Sequence, residues 1–252
     1  MKRIDTHKKQ AAQLNKAGLK LAQETHFEEA IIYFQKALQL YPNRATLYYN
    51  IANTLADLDR HEEAIIFFEQ AIELEPNNPK YMYNKANSLS FLGESLEAIS
   101  LYDLAINIAP HLSSLHFNKA NVLRDLKKFD ESLEFYNKAI EAEPNHASAY
   151  FNRAIVLKEL ELDQAAIESY KKHIEIVPDD DESHYNIGNL LYENNFFYEA
   201  LEHFDKAIEL NPKDVDYHYN KGMVLTKIGE IQKAKERFEF YRKLIAEVDK
   251  SN

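Results

Sequence analysis

Pro42, Pro76, Pro110, Pro144, Pro178 and Pro212 follow one another at intervals of 34 residues, with no insertion or deletion between them. A register held that strictly specifies a stack of equal units, each burying its apolar face against the next, rather than a core closed on itself. Counting each proline as position 32 gives seven units, starting at residues 11, 45, 79, 113, 147, 181 and 215. Position 8 is small (Gly18, Ala52, Ala86, Ala120, Ala154, Gly188, Gly222), and position 11 is Leu in every unit. Position 20 is Ala30, Ala64, Ala98, Ser132, Ala166, Ala200 and Ala234. Position 24 is always aromatic (Phe34, Phe68, Tyr102, Tyr136, Tyr170, Phe204, Phe238), and position 27 is Ala except for His173 and Tyr241.

Two antiparallel helices per unit account for this pattern. Small residues at 8 and 20 let helices A and B approach, the ring at 24 fills the space beside them, and the small residue at 27 admits helix A of the next unit. Proline stops helix B because it lacks an N–H and restricts the residue before it. With only 5 Gly and 7 Pro in 252 residues, little chain is left for long loops. Thr25 to Glu28 reads as a capping box at a helix B start, and Asp59 as the cap of the next. Asn78-Pro79 reads as a cap followed by Pro in the first turn of a helix A.

These residues resemble the tetratricopeptide repeat. The resemblance runs over about residues 11–248 and implies an all-α fold, a right-handed α-solenoid (superhelix) of about seven 34-residue helix-turn-helix repeats. The expected organisation is a basic N-terminal extension at 1–10, a single solenoid domain at 11–248 (repeats 11–44, 45–78, 79–112, 113–146, 147–180, 181–214 and 215–248), and a tail at 249–252. The family implies A helices lining a concave groove, B helices outside, and a groove that binds other proteins, often as extended peptides.

Helical neighbours recur at three and four residues, so positions 2, 5, 6, 9, 12 and 13 form one stripe, rotated away from positions 4, 8 and 11. The resemblance places that stripe on the groove. Position 6 is Asn50, Asn84, Asn118, Asn152, Asn186 and Asn220; position 9 adds Asn53, Asn87, Asn121 and Asn189. Position 5 is Tyr49, Tyr83, Phe117, Phe151, Tyr185 and Tyr219. A carboxamide donates and accepts together, so it can clamp one peptide unit of any extended chain. With helices roughly 8–10 Å apart and a strand rising about 3.3 Å per residue, one Asn per repeat meets about every third ligand residue. The other reading is structural: the carboxamides bond a neighbouring repeat and the rings pack between repeats.

Lys80, Arg124, Lys158 and Lys227 flank the uncharged rows, as do Asp57, Asp125, Glu159, Glu182, Glu193 and Asp216. The acids gather toward the run Asp179-Asp180-Asp181-Glu182, which reads either as a site for a ligand's basic end or as a solvated turn. Some family members clamp a C-terminal carboxylate with Lys at position 5 and Arg at position 6; neither is present here, which argues against that mode. His173, Ile155 and Asp163 make the fifth repeat irregular, with His173 expected to be buried and to shape the junction to the sixth. Tyr241, Phe240 and Leu244 give the last helix apolar surface, for an extended cap or, alternatively, a homodimer contact.

No phosphate loop, GxSxG or complete HExxH occurs; His61-Glu62-Glu63-Ala64-Ile65 lacks the second His. His116, His184 and His218 share position 4 and are expected to be packing residues. Without cysteine there is no disulfide framework or thiolate chemistry. The net charge of −11 argues against nucleic acid as partner. The charged N-terminus and the lack of a long apolar run point to a cytoplasmic protein without membrane insertion. The expectation is a non-enzymatic scaffold or adaptor without cofactor, a monomer that binds an extended peptide or helix of a partner protein. The alternatives are a self-associating structural component and a targeting subunit for an enzyme on another chain.

Overall fold

The computed structural model describes residues 2–251, with side chains over residues 6–246. Of the extension and tail expected at 1–10 and 249–252, residues 1 and 252 lie outside the described residues. The chain forms two compact units, which divide between Ala142 and Glu143. The first holds α1 (Lys2–Gln23), α2 (Phe27–Leu40), α3 (Ala45–Ala56), α4 (His61–Leu74), α5 (Pro79–Phe91), α6 (Ser95–Ile108), α7 (Ser113–Asp125) and α8 (Phe129–Ala142). The second holds α9 (Ala147–Glu159), α10 (Asp163–Ile176), α11 (Asp181–Glu193), α12 (Phe197–Leu210), α13 (Val215–Lys227) and α14 (Ile231–Ser251). Among the described residues there is no strand. The fold is an all-α helical solenoid, with odd-numbered helices as A and even-numbered helices as B. α1, α3, α5 and α7 touch in succession along one face of the first unit, as α11 and α13 do in the second.

The position-24 ring is the centre of each hairpin: Phe34, Phe68, Tyr102, Tyr136, Tyr170 and Phe204 are essentially inaccessible. Burying such a ring stabilises the fold by roughly 1.5–3 kcal/mol. Position 8 is small because that ring lies on it. A Cβ added at Gly18, Gly188 or Gly222 would stand 2.6, 2.9 or 2.7 Å from Phe34, Phe204 or Phe238. Position 27 seats the next repeat, as Ala37 does in one buried cluster with Leu47; it also meets its own helix A, where Ser113 of α7 donates from Oγ to the Ala139 carbonyl at 2.9 Å.

The turn between A and B is built by the backbone. Position 15 has positive φ in all seven repeats: Thr25, Asp59, Gly93, Lys127, Glu161, Asn195 and Gly229. The following N–H returns to the position-11 carbonyl, as from His26 to Leu21 and from Arg60 to Leu55, both at 2.9 Å. This is the Schellman closure of helix A. It corrects the caps expected at Thr25 and Asp59. Both residues terminate the preceding helix in the left-handed region, and α2 and α4 begin after His26 and Arg60 with no side-chain cap. The cap at Asn78 forms as expected: its side chain accepts from the Lys80 N–H at 3.2 Å, with Pro79 in the first turn.

Candidate functional site

The A-helix stripe is a hydrogen-bonded seam. Where position 5 of the repeat before is Asn or Tyr, position 6 donates to it from Nδ2. Asn50 donates to Asn15 Oδ1 at 2.7 Å, Asn84 to the Tyr49 hydroxyl at 2.7 Å, and Asn118 to the Tyr83 hydroxyl at 2.9 Å. Asn118 also donates to Asn87 Oδ1 at 3.0 Å. In the second unit Asn220 repeats both links, to the Tyr185 hydroxyl at 2.9 Å and to Asn189 Oδ1 at 2.8 Å. Where position 24 is Tyr, its hydroxyl donates to position 9: Tyr102 to Asn87 and Tyr136 to Asn121, each at 2.6 Å. Asn152 and Asn186 are half-buried at the same repeat position.

The position-5 rings lean on the position-24 rings of their own repeats. Centroid separations run from 5.5 Å (Phe151–Tyr170) to 6.3 Å (Tyr83–Tyr102), with Tyr49, Phe117, Tyr185 and Tyr219 packed alike. Tyr49 and Tyr185 also meet Tyr81 and Tyr217 of the next repeat at 4.9 and 4.7 Å. Tyr49 is buried, and of the six only Tyr219 is largely exposed.

Beneath this seam lies a second link that the sequence pattern hid. Lys85 and Lys119, both at position 7, are buried. Lys85 reaches Glu69 at 2.9 Å and Glu97 at 3.3 Å; Lys119 reaches Asp103 at 2.5 Å and lies 4.0 Å above the Phe135 ring. Lys221 pairs with Asp205 in the same way. The recurrence of Lys at 7 with an acid at 25 of the preceding repeat was available as a signal, but it looks like ordinary surface charge.

Two cavities open on the A face of the first unit. One, of about 570 Å³ between α3 and α5, is lined by Asn53, Asp57, His61, Asn84, Asn87 and Phe91, among others. The other, of about 250 Å³ between α1 and α3, includes Leu19, Asn50, Asn53 and Asp57. Asn53 and Asp57 line both. Phe91 is 66 % exposed, and its ring rests on buried His61 at 4.0 Å. His61 in turn meets the Ser88 hydroxyl through Nδ1 at 3.2 Å. Burial raises the pKa of Asp57 above the usual carboxylate range. Phe91 was not among the expected site residues; its signal was an aromatic at position 13, where the other repeats carry Gln, acid or Lys.

Two acids of the run in the second unit, Asp180 and Asp181, hold the fold together. Asp180 caps α11, accepting from the Ser183 N–H at 2.8 Å, and lies 3.5 Å from His173 Nε2. Asp181 accepts from Asn211 at 3.0 Å and from the Tyr217 hydroxyl at 2.8 Å. His173 is buried, with Nδ1 donating to the Ala147 carbonyl at 3.0 Å, so it ties α9 and α10 to the cap of the sixth repeat. His116 and His218 are buried and donate from Nε2 to the Pro110 and Pro212 carbonyls at 2.8 and 2.9 Å. His184 faces His203, Nδ1 to Nδ1, at 3.1 Å. Among the described residues no group of three or more His, Cys, Asp or Glu could hold a metal ion, and no helix is long and apolar enough to cross a membrane.

Helical hairpins of fixed length, joined by one recurring seam, define a helical-repeat protein. Residues 13–44, 45–78, 67–100, 111–179, 182–214 and 203–236 each match the tetratricopeptide repeat. The chain belongs to the tetratricopeptide repeat family. No curated protein matches it in sequence. Among solved structures it is similar to YrrB, described as a tetratricopeptide repeat protein with an unusual peptide-binding site. The identity is 25 % and the TM-score 0.61, over 71 % of this chain and 92 % of that one. Two further structures share the fold. Pseudomonas aeruginosa pilF has 18 % identity and TM-score 0.71, over 84 % of this chain and 96 % of that one. A tetratricopeptide repeat protein of Parabacteroides merdae has 15 % identity and TM-score 0.68, over 94 % and 93 %.

Proposed function

We propose that the chain is a non-enzymatic adaptor that binds an extended segment of a partner protein along its A-helix face, with the cavities of the first unit as the principal contact. The observation that carries this reading is the hydrogen-bonding capacity left over there. The seam uses Nδ2 of Asn84 and Oδ1 of Asn87. It leaves Asn84 Oδ1 as an acceptor and Asn87 Nδ2 as a donor beside a cavity, while Asn53 has no side-chain partner among the described residues. Staggered donors and acceptors suit a peptide backbone, whose N–H and C=O alternate. The similarity to YrrB, itself described as having a peptide-binding site, favours the same reading.

Asn53 suits the test because it takes no part in the seam. A photo-crosslinking residue at Asn53 is expected to trap a partner from the source lysate, and one at exposed Ser100 on α6 is not. Asn53→Trp, which fills the cavity, is expected to abolish capture while leaving the melting temperature within a few degrees. Capture that survives Asn53→Trp, or crosslinks only through Ser100, would overturn the proposal. The chain acts as a monomer in this reading. Leu244 is buried, and the Tyr241 ring packs on Tyr219 at 5.3 Å, so part of the apolar surface of α14 is already covered.

A further inference from the structure

The charges around the two cavities point to the chemistry of the bound segment. Two acids occupy position 13 in the first unit, and they differ. Asp125 accepts from Arg124 at 2.9 Å. Asp57 has no cation within reach among the described residues. Basic groups near it in sequence are engaged elsewhere: Arg60 with Glu63 and Glu28 at 2.6 and 3.1 Å, Arg44 with the Thr46 hydroxyl at 3.0 Å, Lys36 above the Tyr33 ring at 5.4 Å and Lys80 above the Tyr49 ring at 4.8 Å. The unpaired carboxylate lines both cavities and shares the larger with the open ring of Phe91. An acid and an aromatic face on one recess suit a guanidinium, which pairs in its plane and stacks on its face.

Resting on the groove reading above, we infer that the α3–α5 cavity is a specificity pocket for a basic side chain of the bound peptide, arginine in preference to lysine. The cation pairs with Asp57 and stacks on Phe91, while Asn53, Asn84 and Asn87 hold the peptide backbone to either side. His61 serves as the fixed support of the Phe91 ring.

Random nonapeptides displayed on phage and selected on the wild-type chain supply the test, with the enriched sequences then synthesised. The expected result is a fixed Arg or Lys among sequences that lose binding to Asn53→Trp. Replacing that Arg by citrulline, and Asp57→Asn in the protein, should each weaken binding about tenfold, the scale of one charge-assisted contact. Asp125→Asn should change nothing, because Arg124 already neutralises that acid. Groove-dependent peptides without a basic residue, or with affinity indifferent to Asp57→Asn, would overturn the pocket and leave the groove standing. Peptides indifferent to Asn53→Trp, or none enriched, would overturn the pocket and count against the groove reading as well.

Discussion

Asp103 and Lys119 form an unequal pair, and the inequality gives a sharp expectation. The ammonium is buried, with 9 % of its side chain accessible, whereas 49 % of the Asp103 side chain faces solvent. Removing one member of a pair costs what the survivor then lacks. In Asp103→Asn the survivor is a buried cation, left with the Phe135 ring at 4.0 Å, a neutral amide and the more distant charge of exposed Glu134. A fully buried orphan costs about 3–5 kcal/mol; the ring and the half-open surroundings reduce this to about 2 kcal/mol. In Lys119→Met the survivor is a carboxylate that water can solvate, and the methionine keeps most of the apolar stem contact, so the loss stays under about 1 kcal/mol. Stability in a repeat array is close to a sum of nearest-neighbour terms, so the effect should be local to α6 and α7. Native-state hydrogen exchange reads it there: α7 amides should exchange about thirtyfold faster in Asp103→Asn and only a few times faster in Lys119→Met. If Lys119→Met is the more damaging, the buried ammonium is a net contributor in its own right and the reasoning fails.

Other expectations follow from the same geometry. Lys127→Gly and Glu161→Gly, at φ 58° and 57°, should each raise stability by roughly 0.5–1 kcal/mol in urea unfolding, since glycine relieves the left-handed strain. Gly188→Ala should lower it by about 1–2 kcal/mol, because its methyl would lie 2.9 Å from the buried Phe204 ring. Burial, with nearby His184 and Lys171, pushes the His203 pKa down to about 4 from 6.5. Between those values the unfolded chain binds the extra proton, so stability falls as pH drops through that window. His203→Phe, which restores a ring used at position 23 elsewhere, should flatten that slope in melting curves. Light scattering should return the mass of one chain.

The period was legible because proline, small and aromatic residues each answer to a backbone or packing constraint that recurs every 34 residues. The caps at Thr25 and Asp59 were misread because a Thr or Asp near a helix start looks the same whether it caps that helix or closes the one before; the backbone angle decides, and side-chain identity does not report it. The asparagine rows were legible as a pattern but not as a direction. Only the folded chain shows that Nδ2 of Asn118 is committed to Tyr83 and Asn87. Asp57 and Asp125 are interchangeable on paper, and what separates them is that Arg124 reaches one while no cation among the described residues reaches the other.

The joint between Tyr83, Asn87 and Asn118 reappears between Tyr185, Asn189 and Asn220, with lengths of 2.9 and 3.0 Å in one and 2.9 and 2.8 Å in the other. Each joint runs one way, from position 6 back to positions 5 and 9, so the second, third and sixth repeats, which hold Tyr at 5 and Asn at 6 and 9, each carry a plug at one side and a socket at the other. Duplicating one of these repeats in register rejoins plug to socket without designing a new interface. Length is thus free to grow by modules of this kind while the chemistry of the joint stays as it was.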